Sequence, residues 1–215
     1  MKKTLVLITL LFSCQMTDQF PHWKAYKQLI KERFPKLADQ LHPGVSKQQL
    51  TDFEHKFDIT LPPAFKKFYQ LHNGEKEGTG YIRRLSLLSL EQIDKELSTT
   101  RKMWETNETF NLSWYDPIVP EGAIKKMYYN PKWIPFISDQ TGNFIAIDLD
   151  PGPRGIIGQI INYGADEDYH YVLGNDIDLF FKLVNKHMID ENVSPQNLRD
   201  LAHLTDYLKK MIDNK

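Results

Sequence analysis

The strongest constraint on the fold is a pair of short helices whose starting points are marked in the sequence. Ser46 is a typical N-cap, and Gln49 stands three residues later, where a capping box requires such a side chain. Pro62 and Pro63 favour the start of a second helix, because the first helical N–H groups lack a carbonyl partner. Apolar side chains follow at helical spacing in both segments: Leu50, Phe53, Phe57, Phe65, Phe68 and Tyr69. The sequence therefore predicts two helices that share an aromatic core.

Other helices and a less regular region surround this pair. Residues 19–41 and 90–104 carry apolar side chains at helical spacing, so each is predicted to be a helix. Asn73–Gly74 are expected to end the second helix of the pair. Residues 78–90 are expected to form one or two strands. Residues 106–127, which include two prolines, are expected to be a loop-rich insertion.

The second half of the chain alternates between short apolar runs and turn residues. The predicted strands are residues 133–137, 144–149, 156–163 and 169–173. Short connections between them favour an antiparallel meander. Helical spacing returns over residues 176–188, and a stripe of leucines predicts a last helix within residues 189–215. The fold class is therefore predicted to be α+β, with helices packed on a mainly antiparallel sheet.

Composition and motifs exclude several classes of function. The formal net charge is −1 at pH 7, and nucleic-acid-binding proteins carry clustered positive charge, so no nucleic-acid partner is expected. The seven histidines show no metal-ligand spacing, and the sequence contains no G-x-S-x-G nucleophile motif. We therefore expect no catalytic residue, no metal site and no cofactor.

The N-terminus resembles a bacterial secretory signal. Lys2 and Lys3 precede the apolar run Thr4–Ser13, which is too short to span a bilayer, and Cys14 follows. Leu11–Cys14 is similar to the lipobox, in which the cysteine is acylated and becomes the new N-terminus. This resemblance predicts a lipid anchor at Cys14 and a location in the bacterial cell envelope. The alternative is a buried first helix in a cytoplasmic protein.

Five acidic residues near the ends of the last strands form the candidate partner-binding site. They are Asp148, Asp150, Asp166, Glu167 and Asp168. They meet at one edge of the sheet only if the strands differ in length or twist strongly, because successive antiparallel turns lie at opposite ends. Three interpretations remain open: solvated loops, a surface that attracts a basic partner protein, and a divalent-cation site with oxygen ligands.

Two sets of residues, in order along the chain, match the pattern of a known family. The helical set is Ser46, Gln49–Leu50, Phe53–Glu54, Leu61–Pro62, Phe65, Phe68–Tyr69 and Asn73–Gly74. The strand set is Trp133–Asp139, Gly142–Asn143, Ile147–Asp148, Asp150–Pro151 and Gly158–Ile160. Together they resemble the SUKH superfamily, and more closely its SMI/KNR cell-wall assembly regulator group. The resemblance extends over residues 44–184 and leaves residues 90–127 as a variable insertion.

The resemblance implies a fold, a domain organisation and a mode of action. Helices are expected to pack on a curved antiparallel sheet in a domain over residues 19–188, after a signal peptide over residues 1–13 and before the C-terminal helix over residues 189–215. Function is expected to be protein binding without catalysis. Bacterial members resemble immunity proteins, which predicts a cognate toxin, for example a basic toxin domain, as partner. The alternatives are an envelope-associated scaffold or regulator of cell-wall assembly and, more distantly, a carboxylate metal-dependent hydrolase.

Overall fold

The computed structural model describes residues 19–76, 78–106, 118–167, 169–190 and 192–195. The helices in these ranges are α1 (Pro21–Arg33), α2 (Lys47–Phe57), α3 (Pro63–Leu71), α4 (Leu90–Thr106) and α5 (Ile177–Asp190), with a 3-10 turn at Pro35–Leu37. The strands are β1 (Leu41–Pro43), β2 (His72–Glu75), β3 (Ser86–Leu87), β4 (Ile118–Val119), β5 (Trp133–Ser138), β6 (Asn143–Asp148), β7 (Gln159–Gly164) and β8 (His170–Gly174). The predicted α+β class is confirmed.

A six-stranded sheet forms the second half of the fold, in the order β3-β5-β6-β7-β8-β4. Every neighbouring pair is antiparallel except β4 and β8, which are parallel. The meander predicted for the four long strands is therefore confirmed. Strands β1 and β2 form a separate antiparallel pair.

Part of the predicted loop-rich insertion belongs to the sheet. Ile118 and Val119 form β4 and pair with His170 and Tyr171 of β8. Ile118 is buried. The prediction of a loop over residues 106–127 is wrong at these two positions, because two residues are too few to show the period of a strand.

The predicted helix pair is confirmed where it begins. The Ser46 hydroxyl accepts a hydrogen bond from the backbone N–H of Gln49 at 3.2 Å, and the Gln49 side chain accepts one from the backbone N–H of Ser46 at 2.9 Å. This is the predicted capping box. Helix α3 follows directly after Pro62, and Phe65 and Phe68 are 1% and 0% exposed.

The end of the second helix differs from the prediction. Helix α3 ends at Leu71, and Asn73–Gly74 lie in strand β2. The Asn73 side chain accepts a hydrogen bond from the backbone N–H of Leu90 at 2.7 Å, so it caps the start of α4 instead. Gly74 has a φ of +75°, and a Cβ at this position would lie 2.4 Å from the Ser89 nitrogen. Only glycine allows β2 to approach the start of α4 this closely.

An aromatic cluster joins α1, α3 and α5. The ring centroid of Trp23 lies 5.0 Å from that of Phe68 and 4.5 Å from that of Phe181. Helix α1 is also capped by α5, because the Asp178 carboxylate accepts hydrogen bonds from the N–H groups of His22 and Trp23, each at 3.0 Å. The main core therefore lies between the helices and one face of the sheet. A smaller cluster includes Ala123, Ile124, Tyr129, Trp133, Ala146, Ile161 and Tyr163.

Several predictions concern residues outside the described ranges. Cys14 and the predicted signal lie there, as do Asp168 and residues 196–215 of the predicted C-terminal helix. Each helix in the described part of the chain is too short or too polar to span a bilayer.

Candidate partner-binding site

The structure separates the predicted acidic residues into two groups. Asp148 and Asp150 lie at what we call the loop end, where β6 leads into β7. Asp166 and Glu167 lie at the turn end, where β7 leads to β8. The two ends are opposite one another, because antiparallel strands place successive connections at opposite ends. A single acidic edge is therefore not formed by these four residues.

Asp148 at the loop end is a structural residue. Its side chain is 0% exposed, and its carboxylate accepts hydrogen bonds from the backbone N–H of Asp150 and the side-chain amide of Gln159, both at 2.9 Å. The same amide donates to the Ala123 carbonyl at 2.9 Å, which ties β6 and β7 to the segment after β4. Burial raises the pKa of Asp148 from its ordinary 3.8 to about 6, because the charged form loses its hydration.

Asp150, also at the loop end, interacts electrostatically with two lysines. Its carboxylate accepts hydrogen bonds from the Lys125 ammonium at 2.6 Å and the Asn130 amide at 3.0 Å. Burial acts to raise the pKa of Asp150, but these hydrogen bonds and the charges of Lys125 and Lys132 lower it below its usual range. Asp150 is therefore held by the Lys125 ammonium and the Asn130 amide, and Lys132 adds a weaker charge interaction.

The acids at the turn end contact their own turn. Glu167 is buried, and its carboxylate accepts a hydrogen bond from the Asn162 amide at 2.7 Å. The side-chain oxygen Oδ1 of Asn162 accepts a hydrogen bond from the backbone N–H of Tyr171, also at 2.7 Å. Asp166 is exposed, yet its backbone N–H donates to the Asn143 side chain at 3.0 Å. A partner contact through Asp166 stays a prediction.

An open groove of about 610 Å³ lies beside the loop end. Three segments of the chain line it: the α2–α3 link from Asp58 to Pro63, Lys132 just before β5, and Leu149 with Ile157 from the β6–β7 loop. Asp58 and Lys132 are exposed and bring opposite charges to its border. The groove thus combines apolar side chains with one anion and one cation.

The β6–β7 loop beside this groove is held by many hydrogen bonds. The Gly158 N–H donates to the Asp148 carbonyl at 2.8 Å, and the Ile156 N–H donates to the Gln159 side chain at 3.1 Å. Further backbone bonds run from Gly152 to Ala123, from Arg154 to Gly122 and from Gly155 to Gly152. Although the loop is fixed in this way, Ile156 and Ile157 are 52% and 67% exposed. The loop therefore holds two large apolar side chains in solvent.

Gly158 allows the loop to meet the α2–α3 link. Its φ is +93°, and a Cβ at this position would lie 3.1 Å from Cγ of Pro62. A larger residue would therefore strain the backbone and push the two segments apart. Pro62 belongs to the helical set of the family pattern and Gly158 to the strand set, so the two sets meet beside the groove.

Comparison with known proteins places the chain in a family. The model of the SMI1 / KNR4 family (SUKH-1) matches residues 44–183. The chain belongs to this family. The predicted resemblance is therefore confirmed, and the matched residues include both sides of the groove.

Three curated SMI1/KNR4-like relatives illustrate the similarity. The "Glucan synthesis regulatory protein" of Neurospora crassa is 30% identical over 83% of this chain and 41% of its own length. The "Cell wall biosynthesis/cell cycle regulator smi1" of Schizosaccharomyces pombe is 30% identical over 79% of this chain and 37% of its own length. The "Cell wall assembly regulator SMI1" of Saccharomyces cerevisiae is 24% identical over 79% of this chain and 42% of its own length. The chain thus spans about two fifths of the length of these relatives.

The relatives correct the predicted location. All three are fungal proteins named as regulators of glucan synthesis or of the cell wall, and none is named as a bacterial lipoprotein. The predicted lipid-anchored location in a bacterial cell envelope is therefore wrong. None of the three names refers to a toxin or to immunity, so the comparisons favour the predicted alternative of a cell-wall regulator.

The described residues also bear on the third functional alternative, a carboxylate metal-dependent hydrolase. Within the described ranges, no group of three or more His, Cys, Asp or Glu side chains is arranged to hold a metal ion. His170 and His187 are buried, and burial lowers their pKa to about 4 and about 3. Both are therefore neutral side chains of the interior at physiological pH.

The sequence did not predict the groove or its exposed isoleucines. The predicted third strand of the meander includes Ile156 and Ile157, but β7 begins only at Gln159. The available signal was the density of proline and glycine in residues 151–158, which indicates a structured loop and leaves no room for a strand. The approach of Pro62 to Gly158 has no sequence signal, because it joins segments far apart in the chain.

Proposed function

We propose that this member of the SMI1/KNR4 family regulates cell-wall synthesis by binding another protein and carries no catalytic activity of its own. The observation that supports protein binding is the exposure of Ile156 and Ile157 on a loop fixed by hydrogen bonds. The names of the relatives support the link with the cell wall.

Exposure of two neighbouring isoleucines is unfavourable in a free protein. Removing an isoleucine side chain from water contributes roughly 1.5–3 kcal/mol, so Ile156 and Ile157 together offer a substantial gain to a partner that covers them. The loop is already ordered, so little conformational entropy is lost when a partner binds. Exposed apolar surface of this kind is typical of protein-interaction sites.

The proposed regulator explains more than the two alternatives do. The immunity-protein alternative follows from the resemblance to bacterial members, and the acidic residues were its expected contact with a basic toxin. Of these residues, Asp148 and Glu167 are buried and Asp150 is paired with Lys125. A metal-dependent hydrolase needs converging carboxylates, and Asp148 already accepts hydrogen bonds from Asp150 and Gln159.

A chimeric protein tests the proposal in a cell. In Neurospora crassa, the matched part of the glucan synthesis regulatory protein is replaced by this chain, in a strain that lacks the native protein. The wall glucan content is then measured against strains with and without the native protein. We expect the chimera to restore the glucan content. A chimera that is folded and present at the normal level but restores nothing would contradict the proposal.

Two variants of the chimera test protein binding through the loop. Ile156→Ser with Ile157→Ser removes the exposed apolar pair, and we expect this double variant to lose the restoration of wall glucan. Ile189→Ser is the matched control, because Ile189 is also exposed, at 57%, but does not line the groove. Equal restoration by the double variant and the control would contradict a binding role for the loop.

A further inference from the structure

We propose that the groove at the loop end binds a short segment of a partner protein that carries apolar side chains and places an acidic side chain beside Lys132. This inference rests on the proposed protein-binding function and adds the chemistry of the partner. The charge of this partner segment is opposite to that of the basic partner expected from the sequence. Three observations support it: the apolar lining, the charge beside Lys132 and the preformed shape of the groove.

The apolar part of the partner segment follows from the lining of the groove. Its apolar lining residues are Ile59, Leu61, Pro62, Pro63, Leu149 and Ile157. Leu61 is buried, whereas Ile157 is 67% exposed, so the apolar lining continues from the core to the solvent-exposed surface. The volume of about 610 Å³ is large enough for several side chains. Apolar side chains of a partner would therefore displace water from this surface.

The acidic part of the segment follows from the charges at one border of the groove. Lys132 lines the groove and is exposed, and Lys125 lies close by, paired with Asp150 at 2.6 Å. Pro63 also lines the groove and begins α3, so the positive end of that helix dipole faces the same space. A carboxylate supplied by the partner is the group that Lys132 and this helix end favour.

A second charge in the lining of the groove, that of Asp58, restricts the sequence of the bound segment. Asp58 lines the groove from the α2–α3 link and is the left-handed C-cap residue of α2, with a φ of 49°. It disfavours a segment that is acidic along its whole length. A segment with its acidic residue near Lys132 and a neutral or basic residue near Asp58 matches both charges.

A second groove on the molecule lacks this combination and serves as an internal comparison. It measures about 400 Å³ and is lined by Gln49, Asp52, Phe53, Lys56, Leu90, Glu91 and Asp94. Its lysine is already paired, since the Lys56 ammonium lies 2.6 Å from the Asp94 carboxylate. Its three acidic side chains, Asp52, Glu91 and Asp94, outnumber this lysine, so this groove disfavours an acidic segment.

Selection from a library of short random peptides displayed on phage tests the inference with the purified chain. We expect the selected peptides to combine apolar residues with at least one Asp or Glu. A synthetic copy of the most frequent peptide is then titrated. Lys132→Glu and Ile157→Asp should each weaken its binding by about tenfold or more. Lys36→Glu is the matched control, because Lys36 is exposed but does not line the groove.

Selection against the charge-reversed chain sharpens the test. With Lys132→Glu as the target, we expect peptides in which Lys or Arg replaces the acidic residue. Amide NMR spectra locate the bound peptide: resonances of Ile59, Thr60, Leu149 and Ile157 should shift, whereas those of Phe53 and Leu90 in the second groove should not. Circular dichroism of each variant confirms that it is folded.

Several results would overturn the inference. In the selection, these are a failure of the wild-type chain to select any peptide and selection of peptides without acidic residues. In the titration, the result is equal binding by Lys132→Glu and Lys36→Glu. In the NMR spectra, it is peptide-induced shifts confined to the second groove. Dimerisation of the free chain that Ile157→Asp abolishes would instead assign the surface to a second copy. None of these results affects the restoration of wall glucan by the unmodified chimera, so failure of this inference and failure of the proposed function are distinguishable.

Discussion

The two ends of the β6–β7 pair use similar residues for different purposes. At the turn end, Glu167 binds Asn162 and Asp166 binds Asn143, so the polar groups stabilise the turn itself. At the loop end, buried Asp148 also accepts hydrogen bonds, but the loop that it supports holds Ile157 in solvent. The turn end exposes Tyr169 at 38%, whereas the loop end exposes two neighbouring isoleucines, at 52% and 67%, beside a groove.

This difference teaches which sequence features indicate a binding surface. Acidic residues occur at both ends, and most of them are satisfied by hydrogen bonds within the fold, so their number alone predicts no partner. Apolar exposure on an ordered loop occurs at the loop end. It is unfavourable without a partner, and this makes it the more informative feature.

The largest expected effect belongs to the core that supports both ends. Phe68 is fully buried against Trp23 and Phe181, so Phe68→Ala should lower the free energy of unfolding by roughly 3–5 kcal/mol. Urea denaturation measures this. An unchanged midpoint would show that Phe68 does not belong to a packed core.

At the turn end, we expect Asn162 to contribute strongly to the free energy of unfolding and Asp166 to contribute little. Asn162→Ala leaves the buried Glu167 carboxylate and the Tyr171 N–H without this partner, so a loss of roughly 2–4 kcal/mol is expected. Asp166→Ala should change the free energy of unfolding by less than about 0.5 kcal/mol, because Asp166 is exposed. Urea denaturation of both variants measures these changes. Equal losses of unfolding free energy would show that Asn162 stabilises the fold no more than Asp166 does.

The loop end should show a pH dependence that comes from Asp148. Its folded-state pKa of about 6 lies above its ordinary 3.8, so between these values the folded protein binds more protons than the unfolded chain. The contribution of Asp148 to the free energy of unfolding therefore falls as pH rises from about 4 to about 6, by about 2–3 kcal/mol in all. It is greatest below this window and stays reduced above it.

A variant isolates this contribution from the other titrating groups. In Asp148→Asn the side chain no longer titrates, so the difference in unfolding free energy between wild type and variant should decrease with pH across the same window. Urea denaturation at a series of pH values measures the difference. A difference that is constant with pH would show that Asp148 is not a desolvated carboxylate.

The smallest expected effect on stability belongs to the exposed loop residue. Ile157 is 67% exposed, so Ile157→Asp should change the free energy of unfolding by less than about 0.5 kcal/mol. Thermal denaturation at neutral pH checks this. A large loss would mean that Ile157 has a structural role, which would weaken its assignment to partner binding.

The sequence was sufficient for the elements that local patterns define. The capping box at Ser46, the buried Phe65 and Phe68, and the four long strands follow from residue type and spacing over a few positions. Strand β4 did not follow, because its two residues depend on pairing with β8. The groove did not follow either, since it requires Pro62 and Gly158 to meet across the fold.

The most direct test of the account compares one variant from each end in the chimera. Ile157→Asp changes the loop end and Asp166→Lys changes the turn end; both residues are exposed, and both variants are expected to fold. Wall glucan content is the measurement. The account predicts that Ile157→Asp abolishes restoration and that Asp166→Lys leaves it intact. Loss of restoration by Asp166→Lys, with full restoration by Ile157→Asp, would place the binding surface at the turn end and contradict the account.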